Sequence, residues 1–265
     1  MNRNYLFVYL ICIFSFLYIH CGGDATLTVP NVTHAVTDSG LTISLAWDEV
    51  NNAEGYIIYG NGIALDTVQT LYCDVDTPVA LIEVKAYAGS QLGDADQVNC
   101  IPVTTYSLQI WGASDTISNH LSGLSFGSEG QAEPITINDS AYYHDLDYIF
   151  EDRLSFTTGF EIFSPNAYSP PYNTKNNMSV RTNAIYFDSL SIAYAPSSCS
   201  TRTALEANSI YTLFLDQDND GWDSDSDHFG KMEVSSITGD STQPHTAIIS
   251  VAWQPIAGLR WVVTP

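Results

Sequence analysis

Residues 42–47 read Thr-Ile-Ser-Leu-Ala-Trp, and residues 53–59 read Ala-Glu-Gly-Tyr-Ile-Ile-Tyr, with Asn61-Gly62 just beyond. Ile43, Leu45 and Trp47 alternate with small or polar residues, the period of two that puts one face of a strand on a core. Asn-Gly between two such runs predicts a type I′ hairpin, because both of its residues tolerate a left-handed backbone. Further along, Ile82, Val84 and Ala86 alternate in the same way. Trp47 and Tyr56 are bulky enough to fill the space between two facing sheets.

Working outward, strand-type runs recur at Leu41–Trp47, Tyr56–Tyr59, Leu81–Tyr87, Tyr106–Trp111, Ala184–Ile192, Ile210–Leu215, Ala247–Trp253 and Leu259–Val263. Gly, Asn, Asp, Ser and Pro break them at short intervals, and no segment sustains a helical period. The expected class is all-β, with two tandem β-sandwich domains over 26–103 and 104–265. Ile101-Pro102-Val103 leaves a linker of a few residues at most, so the pair is expected to behave as a semi-rigid rod. Residues 26–103 resemble a fibronectin type III module: 42–47 match its second strand with the core Trp, 53–59 its third, and the run through Ile82 its sixth. The family's corner Tyr, two residues before Ile82, is Ala80 here. The loop Gly89–Asp94 carries no Arg-Gly-Asp, so integrin-type adhesion gains no support. The second unit loosely resembles a β-sandwich region of bacterial surface proteins, through Ala195-Pro196, Ile210–Leu215 and His228–Val234. That match makes 210–215 and 228–234 a hairpin.

The 265 residues hold 8 Lys plus Arg against 30 Asp plus Glu, a formal charge of −22. Nucleic acid is excluded as a partner, since neutralising phosphates takes basic residues that are missing here. At the start, Arg3 precedes an unbroken apolar run from Tyr5 to Ile19. Fifteen helical residues reach about 22 Å, short of a ~30 Å hydrocarbon core. Residues 1–20 therefore read as a secretory signal rather than a permanent span. Cys21-Gly22-Gly23-Asp24 resembles the boundary of a bacterial lipoprotein signal, which implies lipidation of Cys21. The chain is expected to be exported, touching a membrane only through that lipid or an uncleaved signal. Cys73, Cys100 and Cys199 remain. A Cys73–Cys100 disulfide in an oxidising compartment and three buried free thiols are both open on sequence.

One constellation carries sharp chemistry. Residues 216–227 read Asp-Gln-Asp-Asn-Asp-Gly-Trp-Asp-Ser-Asp-Ser-Asp, matching a calcium loop with an acid in the twelfth place. Calcium takes six to eight oxygens at roughly 2.3–2.6 Å. Asp216, Asp218 and Asp220 can converge, Gly221 permits the turn, the Trp222 carbonyl and Ser224 add oxygens, and Asp227 closes the site. Asp227 stands where a longer Glu is usual, and strands replace the flanking helices. Calcium is therefore the expected cofactor; the alternative is a solvated acidic hairpin tip.

Catalytic motifs are weak. Gly123-Leu124-Ser125-Phe126-Gly127 matches G-x-S-x-G, but no helix follows as a nucleophile elbow requires. His120, His144 and His245 are scattered, and alternation in Tyr142–Tyr148 places His144 on a half-buried strand face. Phe160, Phe163, Tyr168 and Tyr172 read first as packing residues for a long loop and second as a sugar-stacking platform. The expectation is an exported, lipid-anchored cell-surface binding or adhesion module without catalysis, with a protein or glycan ligand. The alternative is an accessory carbohydrate-binding protein of an extracellular polysaccharide-degrading system.

Overall fold

The computed structural model describes residues 26–127, 130–153, 155, 157, 159–168, 171–240 and 242–264. The signal segment 1–20 and Cys21 lie outside the described residues. Seven strands form the first sandwich: β1 (Val32–Thr37), β2 (Thr42–Trp47), β3 (Gly55–Gly60), β4 (Ile63–Val68), β5 (Tyr72–Val75), β6 (Leu81–Ala88) and β7 (Gln91–Asn99). They make two antiparallel sheets, β1-β2-β5 and β4-β3-β6-β7. Ile43, Leu45 and Trp47 face Tyr56, Ile58, Ile82, Val84 and Ala86 across one core, as the alternation requires. The Trp47 and Tyr56 rings meet at 5.2 Å, and the Tyr56 hydroxyl accepts the Val50 N–H at 2.8 Å. Asn61 (φ 51°) and Gly62 (φ 78°) form the tight β3–β4 turn.

After three intervening residues, Val103 opens the second sandwich. Its strands are β8 (Val103–Trp111), β9 (Gly123–Phe126), β10 (Ala132–Ile135), β11 (Tyr148–Glu151), β12 (Glu161–Phe163), β13 (Met178–Arg181), β14 (Arg202–Ala204), β15 (Ser209–Leu215), β16 (His228–Asp240) and β17 (Gln243–Trp253). The sheets run β13-β15-β16-β17-β8 and β10-β9-β11-β12-β14. Tyr211, Leu213, Met232, Val234, Ile249 and Val251 face Leu124, Tyr148, Phe150 and Ile162 between them. The opposite face of the larger sheet is covered too, by Phe187, Leu190, Ala193 and Val262 over Ile210, Phe214 and Phe229.

Three expected strands are not strands. Across 184–192 and just beyond, the apolar residues Phe187, Leu190 and Ala193 recur every three; the chain makes a 3-10 turn at Phe187–Ser189 and lies as a lid on the sheet. Residues 140–145 form a 3-10 turn whose first N–H groups are capped by Asp139, which accepts from Ala141 N. That leaves His144 exposed beside Asp145, not on a strand face. Leu259–Val263 is extended, but makes only a single bridge, between Trp261 and Ile192.

That last segment also crosses the expected boundary between 26–103 and 104–265. Leu259 and Trp261 are fully buried in the first core, while Val262 enters the outer cluster of the second sandwich. The Trp261 indole N–H donates to Leu41 O at 3.0 Å, and Arg260 N to Gly40 O at 2.9 Å. Gln254, wholly buried, donates to Cys100 O at 3.0 Å and Trp261 O at 2.6 Å. Alternation here serves two cores instead of the two faces of one sheet.

Candidate metal centre

The β15–β16 hairpin brings the Asp-rich loop together. Leu215 pairs with His228 as the last rung of the ladder, so Asp216 and Asp227 emerge opposite each other, and both are fully buried. The Asp216 Oδ1 accepts Asn219 N at 2.6 Å. The Asp227 oxygens accept Asp223 N at 2.9 Å and Gln217 N at 3.4 Å. Asp216 Oδ2 is buried with no hydrogen-bond partner, an arrangement that is costly for a carboxylate unless something positive meets it.

Oxygens of Asp216, Asp218 and Asp227 lie within 4.8 Å of one another, and so do those of Asp218, Asp220 and Asp223. Asp218 is common to both groups. Asn219 (φ 66°) and Gly221 (φ 95°) supply the sharp turn. Burial, reinforced by the neighbouring Asp216 charge, pushes the Asp227 carboxyl up to about 7. The Asp218 side chain raises Asp220, by hydrogen bonding and then by charge. Crowded acids with raised affinities for protons are a site short of positive charge, and an all-oxygen donor set suits a hard divalent cation.

Beside these acids the Ser224 hydroxyl donates to Asp225 Oδ1 at 3.2 Å. Trp222 lends its ring to the outer cluster around Phe214 and Phe229, with its indole N–H buried and unpartnered. Asp223 takes the place beside Asp218 and Asp220. Sequence reasoning missed it because the eighth place of the loop is no ligand position in the pattern. Its Oδ1 accepts the N–H groups of Asp225 and Ser226, at 2.6 and 2.7 Å, and these bonds hold its carboxyl low.

The remaining candidates do not assemble into a second centre. Ser125 is buried inside β9, with Gly123 and Gly127 flanking a strand and not an elbow. His120 pairs with Asp115 at 2.8 Å and stacks on Trp111. His245 lies 3.3 Å from Asp152 and stacks on Phe160. Phe160, Phe163 and Tyr168 are buried, and the Tyr168 hydroxyl donates to Glu151. Tyr172 packs edge-on against Tyr143 and Tyr168, so this loop is held down by its aromatics. Cys73 and Cys100 are free thiols and form no bridge. Cys73 lies on β5 and Cys100 just past the end of β7: Cys73 Sγ turns to Asp66 and Asp74 O, and Cys100 Sγ to Val98 O. Burial pushes Cys73 up to about 11 and Cys100 to about 12, which keeps both protonated and inert.

No family model matches the chain, and no curated protein matches it. Among solved structures, a DUF4466 family protein from Parabacteroides merdae aligns with a TM-score of 0.38 and 10% identity, covering 85% of this chain and 98% of that one.

Missing from the sequence reading are two ion pairs of buried acids on β11 and β12 with partly exposed arginines. Glu151 and Glu161 are cross-strand neighbours. Arg153 holds Glu151 through three hydrogen bonds, and Arg202 holds Glu161. Each buried acid is matched by its own guanidinium, as a buried carboxylate requires.

Proposed function

We propose that the chain is an exported, lipid-anchored cell-surface binding module without catalytic activity, whose second sandwich is ordered by calcium. The buried, unpartnered Asp216 Oδ2 among Asp218 and Asp227 carries the calcium reading, because a solvated hairpin tip has no reason to bury two carboxylates. The first sandwich supports the fibronectin type III resemblance through its strand order, β1-β2-β5 against β4-β3-β6-β7. In the export reading, Cys21 bears the lipid and the sandwiches act as spacer and docking surface for a protein or glycan ligand. A charge of −22 turns away nucleic acid.

The test is a thermal melt in excess chelator and then in calcium. A cation bound only by the folded state adds about 2.7 kcal/mol at a hundred times Kd, a rise of roughly 5–10 °C for this size. The rise is expected with calcium, to be weak with magnesium, and to vanish in the Asp218→Asn, Asp220→Asn double variant. An unchanged melting temperature at millimolar calcium refutes the ion site and leaves a solvated acidic loop.

A further inference from the structure

We propose that a cation in the Asp216–Asp227 loop locks the two sandwiches together through segment 254–264. The inference rests on the calcium reading of that loop and extends it from a local site to the junction between sandwiches.

The link is one glycine. Gly258 N donates to Asp227 O at 2.7 Å, directly behind a buried carboxylate of the site. A Cβ built on Gly258 falls 2.6 Å from Ser224 Cα, so loop and segment touch backbone to backbone. On its other side the Gly258 carbonyl oxygen lies 2.4 Å from where a Cβ on Gly40 would sit, in the turn between β1 and β2. Gly258 (φ 72°) and Gly40 (φ 88°) both hold conformations that side-chain-bearing residues avoid. From Gly258 the chain runs straight into Leu259 and Trp261, which fill the first core. The same elements wall a cleft of about 500 Å³ between the sandwiches: His34 to Val36 on one side, Ser224, Asp225 and Pro255 to Ala257 on the other.

The loop's shape therefore sets the seat of the segment. With no cation, Asp216, Asp218, Asp220, Asp223 and Asp227 repel one another at close range and favour an opened loop, which withdraws both the Asp227 carbonyl and the Ser224 surface. A bound cation reverses that preference. Because coupling is reciprocal, a docked segment must in turn favour the cation. The two-state element is the segment itself, docked or loosened.

Hydrogen exchange on the unaltered chain, with calcium binding followed by calorimetry in the same buffer, tests this. Calcium is expected to slow exchange about tenfold or more in peptides covering 258–262 as well as in the loop. The reporting amides are Gly258, Arg260 and Val262, bonded to Asp227 O, Gly40 O and Ser191 O. The Asp218→Asn, Asp220→Asn double variant should lose both effects. Calcium binding with slowing confined to 216–228 overturns the lock while leaving the ion site intact. No heat of calcium binding overturns both. As a second arm, Trp261→Ala, which alters no ligand, should weaken calcium binding several-fold; unchanged affinity in a folded variant overturns the coupling.

Discussion

Lys231 is wholly buried. Its ammonium donates to Leu190 O and Thr264 Oγ1, each at 3.0 Å, and lies 4.6 Å from the centre of the Phe187 ring. Burial pushes it down to about 8, against ~10.4 in an unfolded chain. Between those values the unfolded chain binds the extra proton, so stability rises with pH across that window and is lower at neutral pH. At 1.36 kcal/mol per pKa unit the rise is roughly 3 kcal/mol. Lys231→Met should flatten it, read from denaturation midpoints at pH 7, 8.5 and 10; an unchanged slope would locate the effect elsewhere. The lysine's burial was not legible, because it comes from the 187–193 lid, far away in sequence. Asp216, Asp218, Asp220 and Asp227 were legible, because their spacing along twelve residues encodes convergence. Asp223 was not, because the eighth place of the loop is no ligand position in that spacing.

Hairpins were the elements most open to reading. Asn61-Gly62 forecasts its own turn, and the structure adds that Asn61 Oδ1 accepts from Ala80 N and Leu81 N at 3.0 and 3.1 Å. The turn thus also fixes the start of β6. Asn61→Gly keeps the backbone conformation and loses both bonds, so it should cost about 1–3 kcal/mol. Gly62→Ala meets nothing within 4 Å, so only the left-handed backbone penalty of about 1 kcal/mol applies. Urea midpoints that rank these two variants the other way would deny Asn61 its second role. The β15–β16 hairpin was read as well, through the resemblance of 210–215 and 228–234 to paired strands of a bacterial surface sandwich, and the two strands do pair. The strands wrongly expected at 184–192 and 259–263 are the converse. Both are apolar and bounded by breakers, and what shapes them is the surface they cover, which no window of local sequence contains.

The two-unit plan read from composition and linker length is incomplete at the level of the whole molecule. The first core is sealed by Leu259 and Trp261, and Gln254 ties Cys100 O to Trp261 O. Trp261→Ala should therefore destabilise the first sandwich, by about 3–5 kcal/mol as for a buried large-to-small change. Buried Cys73 and Cys100 report it: their thiols should be labelled much faster in the variant, whereas damage confined to the second sandwich would leave them protected. The same arrangement sets an order of events in biosynthesis. About 160 residues separate Cys100 from Trp261, which at ribosomal speeds of roughly 5–20 residues per second is about 10–30 s of synthesis. Through that interval the first sandwich lacks its plug and must close around a contact spanning 220 positions, the kind that forms slowly. If the chain is exported as proposed, this delay is an advantage, because a polypeptide that cannot finish folding early stays threadable through a secretion channel.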